Sequence, residues 1–333
     1  MVLRSAHSQL RSASMTRESK SHRQPAQAWS SASVCTHLAW RTVCNTEGGD
    51  YRRCRGCGLE EQVSPDSLES RFVGAQDEWY GGDELACLTP FAMALSVDDA
   101  RYRLEVLRKH ARPGRLLEIG PGAGHFAEAA VAAGYDVVTI EDSAVLAEHV
   151  RQRGVTVVEE RFESAALEPA SFDIIVNWHV IEHVLDPREF LSRAATLAAP
   201  QATLIVGTPN AASWEHRIAA RRSPNYCVPH LRLFTAASLS DVVGEAGWIP
   251  TDTFTTDQPD HWLKFAAAHA RAVPRRHVGT EPTNTQSAFA VTNIGARRGM
   301  QAIRAAGAVT WLPRRVQVRR GRGNELVAIG RRR

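Results

Sequence analysis

The chain has 333 residues, 44% hydrophobic and 23% charged, a balance that supports a folded core with accessories and excludes a wholly disordered or fibrous protein. No unbroken apolar run reaches membrane-spanning length and the N-terminus lacks the apolar block of a secretory signal, so the expected compartment is the cytoplasm. The formal net charge is only +4, but arginines crowd both ends, which suits either solvated termini or peripheral contact with an anionic membrane.

Residues 1–32 are rich in Ser, Arg and Gln and almost free of acids, and they read as a disordered leader; an organelle-targeting peptide is the alternative, and Met15 is a second candidate start. Residues 33–62 carry a cysteine-bearing element. Its clearest part is Cys54-Arg-Gly-Cys57 followed by Gly58, a turn tight enough to set two thiolates on one ion. In a chain without secretion signals that spacing favours metal over a disulfide. The other ligands must come from Cys35, His37 and Cys44. A structural zinc on Cys35, Cys44, Cys54 and Cys57, or with His37 replacing one of them, stands against a metal-free remnant of such a site.

Residues 83–258 carry the main domain. Asp83 to His110 is helical in pattern, with Leu85, Leu88, Phe91, Leu95, Tyr102, Leu104 and Leu107 on a candidate apolar face and Pro90 as an expected break. Pro113-Gly114 ends that region. A short buried strand, Arg115 to Ile119, then runs into a turn bearing Gly120, Gly122 and Gly124, and a helix follows from His125 to Ala133. Strands are expected at Asp136–Ile140, Val155–Val158, Phe172–Asn177, Ala202–Gly207 and Trp248–Thr256, with helices at Ala144–Arg153 and Pro187–Leu197. This alternation predicts an α/β fold, a doubly wound parallel sheet covered on both faces, with ligands at the carboxyl ends of its strands.

Residues 259–321 read as a helical insertion or lid. Asp260 to Ala272 is a candidate helix and Pro274 to Ser287 a loose polar stretch. Met300, Ile303, Ala306 and Trp311, set among Arg297, Arg298 and Arg304, make a basic amphipathic helix that either packs on the domain, covers the acceptor, or rests on anionic membrane. Residues 322–333 supply a closing strand, Glu325 to Gly330, and a basic tail.

Glu141 ends the second strand of the domain about 20 residues beyond the glycine turn, where an acid accepts hydrogen bonds from both ribose hydroxyls of a nucleotide. The glycine spacing is Gly-x-Gly-x-Gly, with His125 where a dehydrogenase has its third glycine, and this fits hydride-transfer cofactors poorly. Glu118 with the three glycines, Glu141, Ser171-Phe-Asp173, Val180-Ile-Glu-His183, Thr208-Pro-Asn210, His230-Leu-Arg-Leu-Phe234 and Gly244 to Trp248 together resemble class I S-adenosylmethionine-dependent methyltransferases. The likeness spans roughly residues 100–258. The Cys54-x-x-Cys57-Gly-Leu59 element resembles the zinc-ribbon leader of a bacterial branch of these enzymes, with the first Cys-x-x-Cys pair missing.

The resemblance implies a seven-stranded, mostly parallel Rossmann-like sheet and S-adenosylmethionine as cofactor. It implies that Gly120, Gly122 and Gly124 wrap the methionine and ribose portion, with Glu118 near the amino group, Glu141 on the ribose diol, Phe162 beside Arg161 against adenine, and Asn177 and Trp178 at the methionine end. It also implies a small-molecule or carrier-linked acceptor, such as a saccharide or secondary metabolite. Nucleic acid is not expected, because the positive charge sits at the ends without stacking aromatics. A base is useful where the acceptor is a hydroxyl or a protonated amine. His179, Glu182, His183 and His230 are the candidates, with His179 and His230 preferred as catalytic because loops carry chemistry more often than packed faces. His179, Glu182 and His183 as metal ligands are set aside because no third ligand set is evident. The rival readings are an NAD(P)-dependent oxidoreductase and a non-catalytic cofactor-binding scaffold.

Overall fold

Two β-sheets share one chain crossing in the computed structural model, which describes residues 35–46, 49–63, 88–227, 229–257 and 293–333. The first is an antiparallel ribbon of β1 (Trp40–Thr46), β2 (Gly49–Cys54) and β3 (Glu60–Val63). The β2–β3 turn closes through Cys54 N–H donating to Leu59 O at 2.8 Å, and Gly58 sits in the left-handed region that this turn requires.

The domain begins with α1 (Pro90–His110). Pro90 is the first residue of this helix: Thr89 caps it, and a proline there gives up an N–H that has no partner in the first turn anyway, while the part of the expected helical pattern over residues 83–87 lies outside the described residues. Then follow β4 (Arg115–Ile119), α2 (His125–Ala132), β5 (Asp136–Ile140), α3 (Ala144–Arg151), β6 (Thr156–Val158) and β7 (Phe172–Trp178). Next come α4 (Pro187–Leu197), β8 (Ala198–Pro209), α5 (Trp214–Ala219), β9 (Arg232–Leu233), α6 (Ala236–Glu245) and β10 (Trp248–Thr256). The helix starts carry their own signals. Ser143, Asp186, Ser213 and Thr235 each accept a first-turn N–H, and Thr235 with Ser238 closes a reciprocal capping box. The chain ends in α7 (Asn293–Val309), α8 (Trp311–Arg319) and β11 (Glu325–Arg332).

The main sheet has the order β10-β11-β8-β7-β4-β5-β6, parallel from β8 to β6, with β11 antiparallel to both β8 and β10. This is the doubly wound seven-stranded sheet the sequence predicts. Side chains alternate across it: Leu117, Ile175, Leu204 and Ala328 join one core, while Leu116, Ile174, Ile205 and Val327 join the other. From β4 the chain winds outward through β5 and β6, then returns to place β7 on the other side of β4. The crevice between the ends of β4 and β7 is therefore the topological switch point where such sheets bind ligands.

β9 leaves the domain to pair with β3, so the small ribbon is stitched to the large one. The stitch is polar and buried. Glu60 is fully enclosed, paired with Arg53, with His216 Nε2 at 3.0 Å, and accepting from Tyr226 Oη at 2.6 Å. The Tyr51 hydroxyl donates to His230 O at 2.7 Å.

The basic amphipathic helix is two helices, α7 and α8, that meet at Thr310. Ala296, Met300 and Ile303 are buried. Gly299 lies so close to Phe91 of α1 that an added Cβ would sit 2.6 Å from the ring, so α7 packs on the domain and Gly299 is the contact. The candidate helix Asp260–Ala272, the loose stretch Pro274–Ser287 and the leader up to residue 32 lie outside the described residues. Among the described residues, no helix is long and apolar enough to cross a membrane.

Candidate active site

The turn after β4 is built for close approach. Gly120, Gly122 and Gly124 have φ of 70°, 52° and 75°, a region that side-chain-bearing residues avoid. A Cβ on Gly120 would fall 2.8 Å from Val180 and one on Gly124 2.9 Å from Val150, whereas a Cβ on Gly122 would meet no atom within 4 Å. Gly120 and Gly124 therefore serve packing, and Gly122 borders open space. The free amides of the first turn of α2 face the same turn.

Around this space lie buried polar atoms that the protein itself does not satisfy. Glu118 is 1% exposed, and its Oε2 has no partner among the described residues. Burial pushes its carboxyl up to about 8, opposed by Arg103 and reinforced by Glu141. Asn177 is fully buried, with neither amide atom paired among the described residues, and the indole N–H of Trp178 is likewise unpaired. Glu141 is 5% exposed, accepts the Ser143 N–H at 3.0 Å, and is raised to about 7, chiefly by burial. Unsatisfied buried carboxylate and amide groups are costly, and clustered at a switch point they imply a ligand that completes them. Glu141, Glu118 and Asn177 are the residues that could hold such a ligand, a nucleoside bearing an amino acid being one whose diol, ammonium and carboxylate would match them. Phe162 differs in kind, since it is packed in the core, edge-on to Phe190 at 5.0 Å with Arg193 over its ring.

Beyond β7 the chain turns through His179, whose φ of 57° is unusual for a residue with a side chain. Both of its ring nitrogens face carboxylates, Nδ1 at 3.2 Å from Glu182 Oε1 and Nε2 at 3.2 Å from Glu325 Oε1. Burial alone would lower its pKa, but these two acids raise it to about 9. Burial would likewise raise Glu182, yet His179 and His183 hold it near 2. Thr208 donates to the other Glu182 oxygen at 2.9 Å. The two acids thus favour the protonated ring of His179, which stands in a half-buried ionic triad with them.

His230 is the opposite case. Burial and the neighbouring His183 lower its pKa to about 4, so it is neutral. Its Nδ1 lies 2.9 Å from Asn225 O, and in the tautomer that donates to this carbonyl Nε2 keeps its lone pair. His183 stands alongside, ring centroids 4.9 Å apart, with Nδ1 at 2.9 Å from Pro229 O. Ligand atoms of Glu182, His183 and His230 fall within 4.8 Å of one another.

The cysteine element also assembles. Cys35, His37, Cys54 and Cys57 offer donor atoms within 4.8 Å of one another, with Cys35 Sγ to Cys54 Sγ and His37 Nδ1 to Cys57 Sγ both at 3.5 Å. This is the ligand set in which His37 takes a place; the Cys44 side chain lies outside the described residues. Burial would raise Cys54, but N–H groups of the knuckle and its neighbours lower it to about 6, so a thiolate forms readily. Three sulfurs and one imidazole suit tetrahedral zinc.

Residues 96–251 match a family model described as a methyltransferase domain, and this segment holds the glycine turn, Glu141, Asn177 and the His179 to His230 set. That segment of the chain is a methyltransferase domain. It is 30% identical over 151 residues to a probable S-adenosylmethionine-dependent methyltransferase of Mycolicibacterium smegmatis, covering 43% of this chain and 56% of that one. It is 33% identical over 159 residues to a ubiquinone biosynthesis O-methyltransferase of Caulobacter, covering 42% and 62% respectively. The chain spans about half the length of several curated relatives it matches. A solved S-adenosylmethionine-dependent methyltransferase from Thermotoga maritima superposes with a TM-score of 0.47 at 20% identity, over 80% of this chain and 99% of that one.

S-adenosylmethionine would supply an already activated methyl group, leaving such a domain to align an acceptor and manage its proton. Two residues at the site escape sequence reasoning. Arg103 on α1 lies 5.2 Å over the Trp178 ring and offsets Glu118, and Glu325 on β11 completes the His179 triad. Neither has a local signal; each reaches the site through a long-range pairing.

Proposed function

We propose that this chain transfers a methyl group from S-adenosylmethionine to an oxygen or nitrogen of a small-molecule or carrier-linked acceptor, with His230 receiving the acceptor's proton. The observation that carries this reading is the neutral His230, its Nδ1 beside a carbonyl, at the same strand ends as the unsatisfied Glu118 and Asn177. A neutral imidazole is the group suited to removing a proton near pH 7. Relatives named as ubiquinone biosynthesis O-methyltransferases favour a hydroxyl acceptor. His179 acts as a positioning residue, fixing Glu182, whose main-chain carbonyl accepts Leu231 N–H at 2.8 Å and so places the loop that bears His230.

Methyl incorporation from labelled S-adenosylmethionine into a metabolite extract tests the reading. His230→Ala is expected to lower turnover about 10²- to 10⁴-fold with cofactor affinity intact. Unchanged turnover removes the base role, and failure of the wild type to bind S-adenosylmethionine at millimolar concentration removes the whole proposal.

A second element of the reading is a structural zinc on Cys35, His37, Cys54 and Cys57. It is supported by the convergence of these four donors, and a closed site of this kind shapes the ribbon instead of performing chemistry.

A further inference from the structure

A wide groove of about 820 Å³ lies between the cysteine knuckle, the start of α6 and the turn before β11. Six arginines line it, Arg41, Arg53, Arg55, Arg217, Arg320 and Arg322, and its described lining holds no carboxylate, only the knuckle sulfurs of Cys54 and Cys57. Such a concentration of one charge is costly unless something relieves it. Arg53 is relieved by Glu60, and Arg322 donates to the Ala212 carbonyl at 3.2 Å. The guanidinium groups of Arg41, Arg55, Arg217 and Arg320 have no ion-pair partner among the described residues. The pKa of Arg217 is lowered by partial desolvation and by Arg53 and Arg322, with Glu60 opposing them.

Main-chain donors reinforce the side chains. The groove is floored by Ala236 and Ala237, the first residues of a ten-residue helix whose leading N–H groups have no carbonyl partner within the helix. The helix start is fixed to the knuckle because Thr235 Oγ1 donates to Cys57 O at 2.6 Å. A guanidinium fork and a helix N-terminus both match the tetrahedral oxygens of phosphate.

Position links this groove to the methyl-transfer site. Its Ala211–Ala212 wall follows directly from Thr208, which holds Glu182, and its Thr235–Ala237 wall follows from the segment that begins at His230. We propose that the groove binds the phosphorylated end of the methyl acceptor, a group carrying two or more phosphoryl charges, while the atom to be methylated lies at His230. The inference rests on the methyltransferase reading and adds the acceptor's class. Six guanidinium groups facing the single carboxylate of Glu60 exceed what one phosphate dianion neutralises, and a concave groove suits a soluble phosphate ester better than a flat bilayer.

Calorimetry of the full chain with inorganic pyrophosphate at constant ionic strength is the first test, with sulfate as the control for mere charge. Saturable pyrophosphate binding, stronger than that of sulfate, is expected, and Arg41→Ala/Arg55→Ala/Arg217→Ala should weaken it at least ~10-fold. Those three side chains are exposed and outside the cofactor cradle, so S-adenosylmethionine affinity and thermal midpoint should stay constant and report a folded variant. Equal affinity for sulfate, equal affinity in the variant, or binding only to phosphatidylglycerol vesicles overturns the proposal. A second test compares methyl incorporation into a metabolite extract before and after phosphatase treatment. Loss of the labelled product supports a phosphorylated acceptor. Undiminished incorporation overturns it while leaving the methyltransferase intact. Absent S-adenosylmethionine binding with pyrophosphate binding retained would instead defeat the methyltransferase reading alone.

Discussion

Glu325 lies 3.2 Å from Nε2 of His179 across 146 residues of chain, because β11 runs antiparallel beside β8 and sets Glu325 opposite Pro209 at the sheet's carboxyl edge. The acid keeps His179 charged. His179 is raised above its unfolded value of 6.5 to about 9, so its contribution to stability is complete below pH 6.5 and is lost as pH rises through 9. Glu182 is depressed from 4.5 to about 2, so its contribution is complete above pH 4.5 and is lost as pH falls through 2. Glu325→Gln should pull the His179 pKa down, readable by NMR titration of the ring. It should cost about 2 kcal/mol at pH 6, since it leaves one arm of a largely buried pair unmatched. A His179 titration unchanged in Glu325→Gln would show that Glu182 alone sets its charge.

Glu118 predicts the reverse slope. Its carboxyl titrates near 8 when folded and near 4.5 when unfolded, so the folded chain holds a proton that the unfolded chain has lost throughout that window. Stability without cofactor therefore declines as pH rises from 4.5 to 8, by on the order of 5 kcal/mol. Glu118→Gln should flatten that decline in denaturant titrations while weakening S-adenosylmethionine binding. In the wild type, cofactor affinity should improve as pH rises through 8, because the ionised carboxylate is the better partner for the ligand's ammonium. Parallel pH profiles in the two proteins would remove Glu118 from the cofactor site.

Gly122 and Gly207 separate ligand space from packing space. A methyl on Gly122 meets nothing within 4 Å, so Gly122→Ala should cost only about 1–2 kcal/mol for the left-handed backbone, yet weaken S-adenosylmethionine at least ~10-fold by intruding on the cradle. A methyl on Gly207 would fall 2.3 Å from the Trp178 indole, so Gly207→Ala should destabilise by about 1–3 kcal/mol through overpacking. Calorimetry and melting curves on both variants check the contrast. Equal cofactor affinity in Gly122→Ala and wild type would mean that the open space belongs to solvent.

What could be read from the chain follows the range of the interaction. The strand, glycine turn and helix around Gly120 are legible because their signals are local: an apolar run, three glycines at fixed spacing, and a helix start. Glu141 is legible because it closes the next strand. Pro90 is legible as a boundary because a proline is excluded from a helix interior but suits its first position, where Thr89 caps the helix. Phe162 shows another limit, since an aromatic beside a ligand and one in the core have the same sequence environment, and here the ring packs on Phe190. The charge states of His179 and His230 are furthest from sequence. Both are loop histidines, yet one lies between two carboxylates and the other beside His183 and a carbonyl, and only the tertiary pairing separates them.

The cysteine knuckle yields the last prediction because its two candidate ligand sets differ at one position. Cys35, Cys54, Cys57 and His37 converge, and Gly56 is tight against the sulfurs: a Cβ there would sit 3.0 Å from Cys35 Sγ. Protein purified without chelator should therefore carry about one zinc per chain, measured by atomic emission. Cys54→Ser and His37→Ala should each fall below ~0.2 zinc per chain, whereas Cys44→Ser should retain the wild-type content. Loss of zinc in Cys44→Ser with retention in His37→Ala would restore the four-cysteine set. Metal-free but folded wild-type protein would leave the ribbon held by the β3–β9 pairing, the packing of Tyr51 and its polar stitch, Glu60 with Arg53, His216 and Tyr226, and Glu60→Gln should then unfold the ribbon before the sheet.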